Sequence, residues 1–198
     1  MRGLLDAIFP PQCAACGALD TGLCTTCVPS QAPPVVRMLP TLCVRGLGEY
    51  DGAYRRAVLA VKGGRRDVAA ALGERLAHLV EAQMLLVPVP TTAARRRVRG
   101  FDGVEAIARM AGVYGGAGVS VALEVTGTSA QHGKDRAERL SGCGRFRAST
   151  TMLRGCHVTL VDDVCTTGAT LEGCADALRS AGARVTQAFV VAVANGGA

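Results

Sequence analysis

The stretch Leu160-Val161-Asp162-Asp163-Val164-Cys165-Thr166-Thr167-Gly168-Ala169-Thr170 organises the reading of the whole chain. Apolar residues from Val158 to Val161 end in two adjacent carboxylates. A Thr-Thr-Gly-x-Thr loop follows, and a helix-periodic segment begins directly after it. That order describes a strand whose carboxyl end presents two acids, then a tight loop of amide and hydroxyl donors at a helix N-terminus. Such a loop suits a phosphate monoester, because unpaired backbone N–H groups and the helix dipole both point at the anion. The paired acids can hold a vicinal diol, a divalent metal or both. A sugar 5-phosphate meets both requirements. Asp and Thr also favour ordinary loops and caps, yet two acids, three threonines and a glycine in register point to a ligand site.

Outward from that run, apolar strands alternate with helix-periodic segments. Residues 41–48 read as a short strand, 54–62 as a helix with one basic face, and Val68, Leu72, Leu76 and Leu79 as one face of a second helix. Residues 84–89 form a compact apolar strand ending at Pro90, and Phe101, Val104, Ile107, Ala108 and Ala111 mark a further helix. Residues 119–123 read as a strand and 126–148 as a polar, glycine-rich loop with a short helix. Residues 156–161 are the strand that leads into the two acids, 170–180 its helix and 184–193 a closing strand. The expected fold class is α/β, a parallel sheet with helices on both faces. Ligands on such sheets bind at the carboxyl ends of strands, which selects the ends after Val89 and after Val161.

Nine of the 198 residues are cysteine, and four of them form two knuckles, Cys13-x-x-Cys16 and Cys24-x-x-Cys27. Two such pairs seven residues apart can place four thiolates around one Zn²⁺. A segment this small builds no core of its own, so metal ligation would supply most of its folding energy. The expected organisation is a zinc module over residues 1–32, a proline-rich linker over 33–40, and a main domain over 41–198. Cys174 falls on an apolar helix face and reads as core. Cys165 sits in the phosphate loop and is not assigned as a nucleophile.

Net charge is +6, and its distribution is uneven: residues 1–100 carry 13 basic and 7 acidic side chains, residues 101–198 carry 9 of each. The excess gathers at Arg55, Arg56, Lys62, Arg65 and Arg66, and again at Arg95, Arg96, Arg97 and Arg99. These clusters indicate a polyanionic partner: pyrophosphate, a nucleotide or single-stranded nucleic acid. Lys62 is one of only two lysines against twenty arginines, and it precedes Gly63-Gly64, where a ligand can approach the backbone closely. No apolar stretch reaches the roughly 18–20 residues of a membrane span, and the N-terminus lacks the apolar core of a signal peptide. The expected location is cytoplasmic, with no membrane insertion.

The run from Leu160 to Thr170 resembles the 5-phosphoribosyl-1-pyrophosphate (PRPP) signature of type I phosphoribosyltransferases. The chain as a whole resembles the ComF-type family, phosphoribosyltransferase-like proteins associated with competence and DNA uptake. This second likeness rests on the four cysteines, Tyr50-Asp51-Gly52 with the basic helix ending in Lys62, Leu86-Val87-Pro88-Val89-Pro90, and Arg99-Gly100-Phe101. The resemblance implies a type I phosphoribosyltransferase fold with a small N-terminal zinc module, PRPP as ligand, and Mg²⁺ bound with it. It assigns the catalytic acids Asp162 and Asp163 to the ribose 2- and 3-hydroxyls, and Val164, Cys165, Thr166, Thr167, Gly168, Ala169 and Thr170 to the PRPP loop. Pyrophosphate would lie against Pro88, Val89 and Pro90, assisted by Lys62, Arg95, Arg97 and Arg99. A closing hood would carry Thr128, Gln131, Lys134, Arg136 and Arg139.

Two departures stand out. Members commonly read Arg-Gly-Phe-Asn-Gln where this chain has Asp102 and Gly103, and Lys134 and Gly142 replace the usual Leu and Asn of the hood. A different class of function also follows from the basic first half: an adaptor that handles single-stranded DNA alongside the DNA-uptake machinery, using the pocket for sensing. Few aromatics, with no Trp, three Tyr and four Phe, speak against it, since single-strand binders use stacking platforms.

Overall fold

The computed structural model describes residues 10–92, 96–97, 100–126, 145–150 and 152–194. Its strands are β1 (Val35–Met38), β2 (Cys43–Glu49), β3 (Leu85–Pro88), β4 (Gly118–Val119), β5 (Leu123–Val125), β6 (Phe146–Ala148), β7 (His157–Cys165) and β8 (Arg184–Val193). The helices are α1 (Gly52–Lys62), α2 (Arg66–Leu76), which runs into a 3₁₀ turn at Ala77–Leu79, α3 (Gly103–Gly115) and α4 (Ala169–Ser180).

Six strands form one sheet in the order β1-β2-β8-β7-β3-β4. All neighbours run parallel except β1, which pairs antiparallel with β2. Because side chains alternate across a strand, the sheet separates two apolar layers. Leu86, Val161, Phe189 and Val191 face the layer shared with α1, α2 and α3. Val87, Leu160, Ala188 and Val190 face the layer shared with α4 and the β5–β6 pair. The α/β architecture expected from the sequence is therefore present. From β3 the chain runs through α3 to β4 at one edge, whereas from β7 it runs through α4 to β8 in the opposite direction. The neighbouring carboxyl ends of β3 and β7 thus border a topological switch point, where open α/β sheets form a crevice.

Several sequence expectations are corrected. Residues 33–40, read as a linker, contain β1, whose four residues pair with 43–46 of β2; pairing to a strand five residues later overrides the prolines flanking it. Residues 119–123, read as one strand, are split, with β4 ending at Val119 on the main sheet and β5 starting at Leu123 on a separate two-stranded sheet. The partner of β5 is β6, within the stretch read as loop; residues 127–144 of that stretch lie outside the described residues. The strand carrying the acids continues to Cys165, so Asp162 and Asp163 belong to the β7 ladder and the loop begins at Thr166.

The four-cysteine segment is docked on the main body. Cys13, Leu23 and Val28 share the apolar layer of α2 and α3. Arg75 of α2, 5% exposed, holds the dock: its guanidinium donates to Leu23 O at 2.7 Å, Val28 O at 2.8 Å and Ala71 O at 2.8 Å. Carbonyls accept a planar fork well, and each would be left buried without it. On the other side of α2, Gly73 lets α3 approach closely, since a Cβ there would lie 2.5 Å from Ile107 O. Replacing Arg75 by Ala should destabilise the protein by about 3 kcal/mol, as buried carbonyls lose charged donors. A melting temperature lowered by roughly 6–12 °C is then expected for a domain of this size; an unchanged midpoint would refute the docking role.

Candidate functional site

A cleft of about 380 Å³ opens at the carboxyl ends of β3 and β7, where the topology places a crevice. Asp162, Asp163 and Val164 form one wall, Thr166 and Thr170 the floor toward α4, and Val89 and Pro90 the opposite side. Val89 N donates to Val161 O at 2.8 Å, so the Pro-Val-Pro backbone is fastened to the strand that carries the acids.

The two carboxylates are held in different ways. Asp163 is ion-paired with Lys62 Nζ at 3.1 Å, across from the last residue of α1. Asp162 is 9% exposed, and its Oδ1 accepts the backbone N–H of Asp163 at 2.8 Å. Burial, with the charge of Asp163 added, pushes the Asp162 carboxyl up to about 8, against the opposing pull of the Asp163 N–H and Lys62. The protonated form of Asp162 is thus favoured in the folded protein.

Beyond β7 the chain turns into α4 through Gly168, whose φ of +85° is a left-handed conformation natural to glycine. Ala169 N donates to Thr167 Oγ1 at 3.4 Å, and no side chain caps α4 at Gly168. The first amides of α4 have no acceptor within the helix, which suits the anion site read from the sequence. Cys165 is 1% exposed, and burial raises its thiol pKa, so its side chain belongs to the core and only its backbone lies near the loop. Cys174 is likewise buried and its thiol raised, as expected of a core residue.

Of the residues assigned to pyrophosphate, Lys62, Val89 and Pro90 line the cleft, while Pro88 is the buried end of β3. Arg97 lies elsewhere: with Arg96 it borders an adjoining hollow of about 350 Å³ that shares Pro90 and Thr91 with the cleft. Arg95, Arg99, Thr128, Gln131, Lys134, Arg136 and Arg139 lie outside the described residues. Sequence reading missed Thr91, Thr92, Arg145 and Phe146, all of which line the cleft. Two hydroxyls directly after Pro-Val-Pro were the available signal for the threonines. Arg145 and Phe146 had none, because the β5–β6 pairing that brings them in is non-local. Tyr50, singled out only within the Tyr-Asp-Gly motif, also reaches the cleft.

The departures after Arg99 have a packing explanation. Asp102 caps α3, accepting from Val104 N and Glu105 N at 3.2 Å each, a role Asn also fills. At Gly103 a Cβ would lie 2.5 Å from Val61 of α1, so glycine allows α1 and α3 to approach beside Lys62.

The Sγ atoms of Cys13, Cys16, Cys24 and Cys27 all lie within 4.8 Å of one another. Cys13 Sγ and Cys16 Sγ are each 3.7 Å from Cys24 Sγ. A tetrahedron with Zn–S bonds of about 2.3 Å has edges of about 3.8 Å, whereas a disulfide would need sulfurs about 2.05 Å apart. Burial opposes ionisation of Cys13, but the N–H groups of Cys24, Ala15 and Cys16 bring its thiol down to about 6. Hydrogen bonds to Cys16 and Cys24 push the Cys27 thiol up to about 12. A divalent cation bound at such a cluster would take the thiols in their deprotonated form.

A family model described as the phosphoribosyl transferase domain matches residues 66–198. The chain belongs to that family. The mainly parallel sheet flanked by helices, with β7 and its loop at the switch point, is the corresponding type I fold. Among solved structures, glutamine phosphoribosylpyrophosphate (PRPP) amidotransferase from B. subtilis, complexed with ADP and GMP, is similar at 22% identity and a TM-score of 0.45, over 63% of this chain and 27% of that one. A structure titled as the allosteric regulatory enzyme of purine biosynthesis is similar at 23% identity and a TM-score of 0.43, over 62% and 26%. The chain thus spans about a quarter of the length of these two proteins. A search of curated proteins finds no match. Among the described residues, no helix is long and apolar enough to cross a membrane.

The raised Asp162 has a consequence for stability. The unfolded chain releases this proton near pH 4 and the folded one near 8, so between those values the folded state binds more protons and stability falls as pH rises. Asp162→Asn keeps the acceptor for Asp163 N–H and removes that loss. Its melting temperature should exceed that of the parent protein at pH 7.5, by the equivalent of a few kcal/mol, and the gap should close toward pH 4. Equal melting curves across this range would refute the buried, protonated assignment.

Proposed function

We propose that this chain is a phosphoribosyltransferase of the ComF type that binds PRPP with Mg²⁺ and transfers the phosphoribosyl group to an acceptor. One observation carries the reading: Asp162, Asp163, Lys62 and the 166–170 loop converge on one cleft at the switch point of the sheet. The 5-phosphate sits at the N-terminus of α4, held by amides and by the hydroxyls of Thr166 and Thr170. The ribose 2- and 3-hydroxyls face Asp162 and Asp163. Pyrophosphate extends toward Val89, Pro90 and Lys62. Two carboxylates, one already engaged by a lysine, do not form an all-protein cage; they fit a magnesium ion that keeps most of its oxygens from ligand and water. Bound with the ligand, that ion supplies charge neutralisation on the departing pyrophosphate. Among the chain's own groups, Lys62 stabilises the leaving charge, and the acids orient the ribose while its anomeric carbon gains cationic character. No side chain serves as covalent nucleophile. Thr128, Gln131, Lys134, Arg136 and Arg139 are assigned to a hood that excludes water; of the residues flanking that stretch, Thr126 N donates to Arg145 O at 2.9 Å and Arg145 lines the cleft. Arg95 and Arg99 are assigned to the pyrophosphate side.

Calorimetry of PRPP with Mg²⁺ tests the site directly. The double variant Asp162→Ala/Asp163→Ala should lose affinity by about 100-fold or more, as two charge-assisted contacts vanish. Unaltered affinity would remove the ribose assignment.

The four thiolates are assigned to structural Zn²⁺. The 3.7 Å sulfur spacings support it, and so does the docking of the segment through Arg75. Metal analysis of protein purified without chelator should return about one zinc per chain, and Cys24→Ser should abolish it. A metal-free, folded parent protein would contradict the assignment.

The link to DNA uptake rests on the family resemblance, and the cytoplasmic location on the sequence expectation alone. An adaptor that binds single-stranded DNA draws support from the exposed Arg55, Arg56, Arg96 and Arg97. Among the described residues, Tyr114 is the one aromatic side chain in the exposed large apolar set. Stacking platforms are thus scarce, and the transferase reading is preferred.

A further inference from the structure

The phosphate loop is gripped from outside by a segment that the family match does not reach. Residues 35–42 precede the matched region of 66–198, and they make contact with the loop and α4 at every second residue from 37 to 41. Arg37 Nη1 donates to Thr166 O and, at 2.9 Å, to Ala194 O, which ties the start of the loop to the end of β8. Leu39 lies against the loop glycine: a Cβ at Gly168 would fall 2.5 Å from Leu39 Cδ1. Thr41 N donates to Glu172 Oε1 of α4 at 2.9 Å, Thr41 Oγ1 also donates to Glu172 Oε2, and Arg179 Nη1 donates to Thr41 Oγ1 at 2.7 Å.

We propose that Arg37 is a positioning residue for the 5-phosphate subsite, setting the direction of the loop's amides through the Thr166 carbonyl. This inference rests on the phosphoribosyl reading above. In a trans peptide the C=O and the following N–H share one rigid plane and point in opposite directions. The Thr166 carbonyl and the Thr167 N–H belong to one such plane. Arg37 draws that carbonyl outward toward β1, so the Thr167 N–H is aimed away from β1. A helix N-terminus binds an anion well only when such donors are fixed in advance of the ligand. Leu39 makes the second fixed point: with its side chain in place, residue 168 must be glycine, and the loop keeps its left-handed bend. The guanidinium also polarises the peptide it holds, which strengthens the N–H as a donor. Neither Arg37 nor Leu39 lines the cleft, so both act through the loop and not on the ligand itself.

The test separates the two ends of the ligand. Ribose 5-phosphate and inorganic pyrophosphate are each titrated by calorimetry into the full chain and into Arg37→Ala and Leu39→Ala, with melting curves alongside. The parent protein should bind both. Arg37→Ala should lose about tenfold in affinity for ribose 5-phosphate, the size of one lost charged contact, and Leu39→Ala severalfold. Pyrophosphate affinity should stay within about twofold of the parent in both, and Arg37→Lys should recover part of the loss. If Arg37→Ala fails to fold, the selectivity is read from Leu39→Ala and Arg37→Lys. Ribose 5-phosphate affinity unchanged in the variants, or both ligands weakened alike, overturns the positioning role and leaves the site reading standing. A parent protein that binds neither ligand overturns both.

Discussion

Burying one carboxyl group beside another costs free energy that the surroundings must offset, and the architecture around β7 answers that cost. Lys62 at the end of α1 pairs with Asp163, and burial with the charge of Asp163 pushes the Asp162 carboxyl upward. Lys62 reaches the acids because α1 and α3 come together across Gly103, where no larger residue fits against Val61. The strand neighbours matter equally. The β3 ladder ends at Pro88 and Val161, so the acids stand just beyond it, while pairing with β8, which includes Asp162 and Val164, continues past them.

The same layer of helices joins the site to the four-cysteine segment. One face of α2 is covered by Cys13, Leu23 and Val28, and Arg75 satisfies the carbonyls of that segment from beneath. Arg65 adds a second tie: it donates to Gln12 O and pairs with Asp67 across the start of α2. It stands three positions after Lys62, so the cysteine knuckles and the cationic end of the cleft are braced against one short stretch of chain. At the edge of the sheet the corresponding brace is β1, whose Arg37 holds Thr166 and whose following residue Leu39 packs on Gly168. Both ends of the ligand site are thus supported by segments preceding residue 66, where the family match begins.

Much of the site was legible because its chemistry is local. Asp162, Asp163, Thr166, Gly168 and Thr170 are contiguous, and a strand–loop–helix unit brings contiguous residues into one place whatever surrounds them. Lys62, Val89 and Pro90 were legible through motif and composition. A run of arginines carries no record of which one turns inward; the structure places Arg97 at the hollow that shares Pro90 and Thr91 with the cleft. Asp102 stood out as a departure from the usual Asn, and its carboxylate caps α3. Arg145 and Phe146 were hidden in a polar stretch, since a three-residue strand has no period of its own and exists only through its pairing with β5.

What the sequence by itself determined is the set of local units: an α/β alternation, an acid-bearing strand with the glycine-containing loop and helix that follow it, and two paired-cysteine knuckles. Those follow from periodicity, turn chemistry and ligand spacing, which act over a few residues. The strand order, the burial of Asp162, the Lys62–Asp163 pair and the grip of Arg37 on Thr166 were decided only by the tertiary structure. Each depends on residues far apart in the chain, 101 positions for the ion pair and 129 for the grip. Burial and electrostatics are set by what packs together, and no local pattern encodes that.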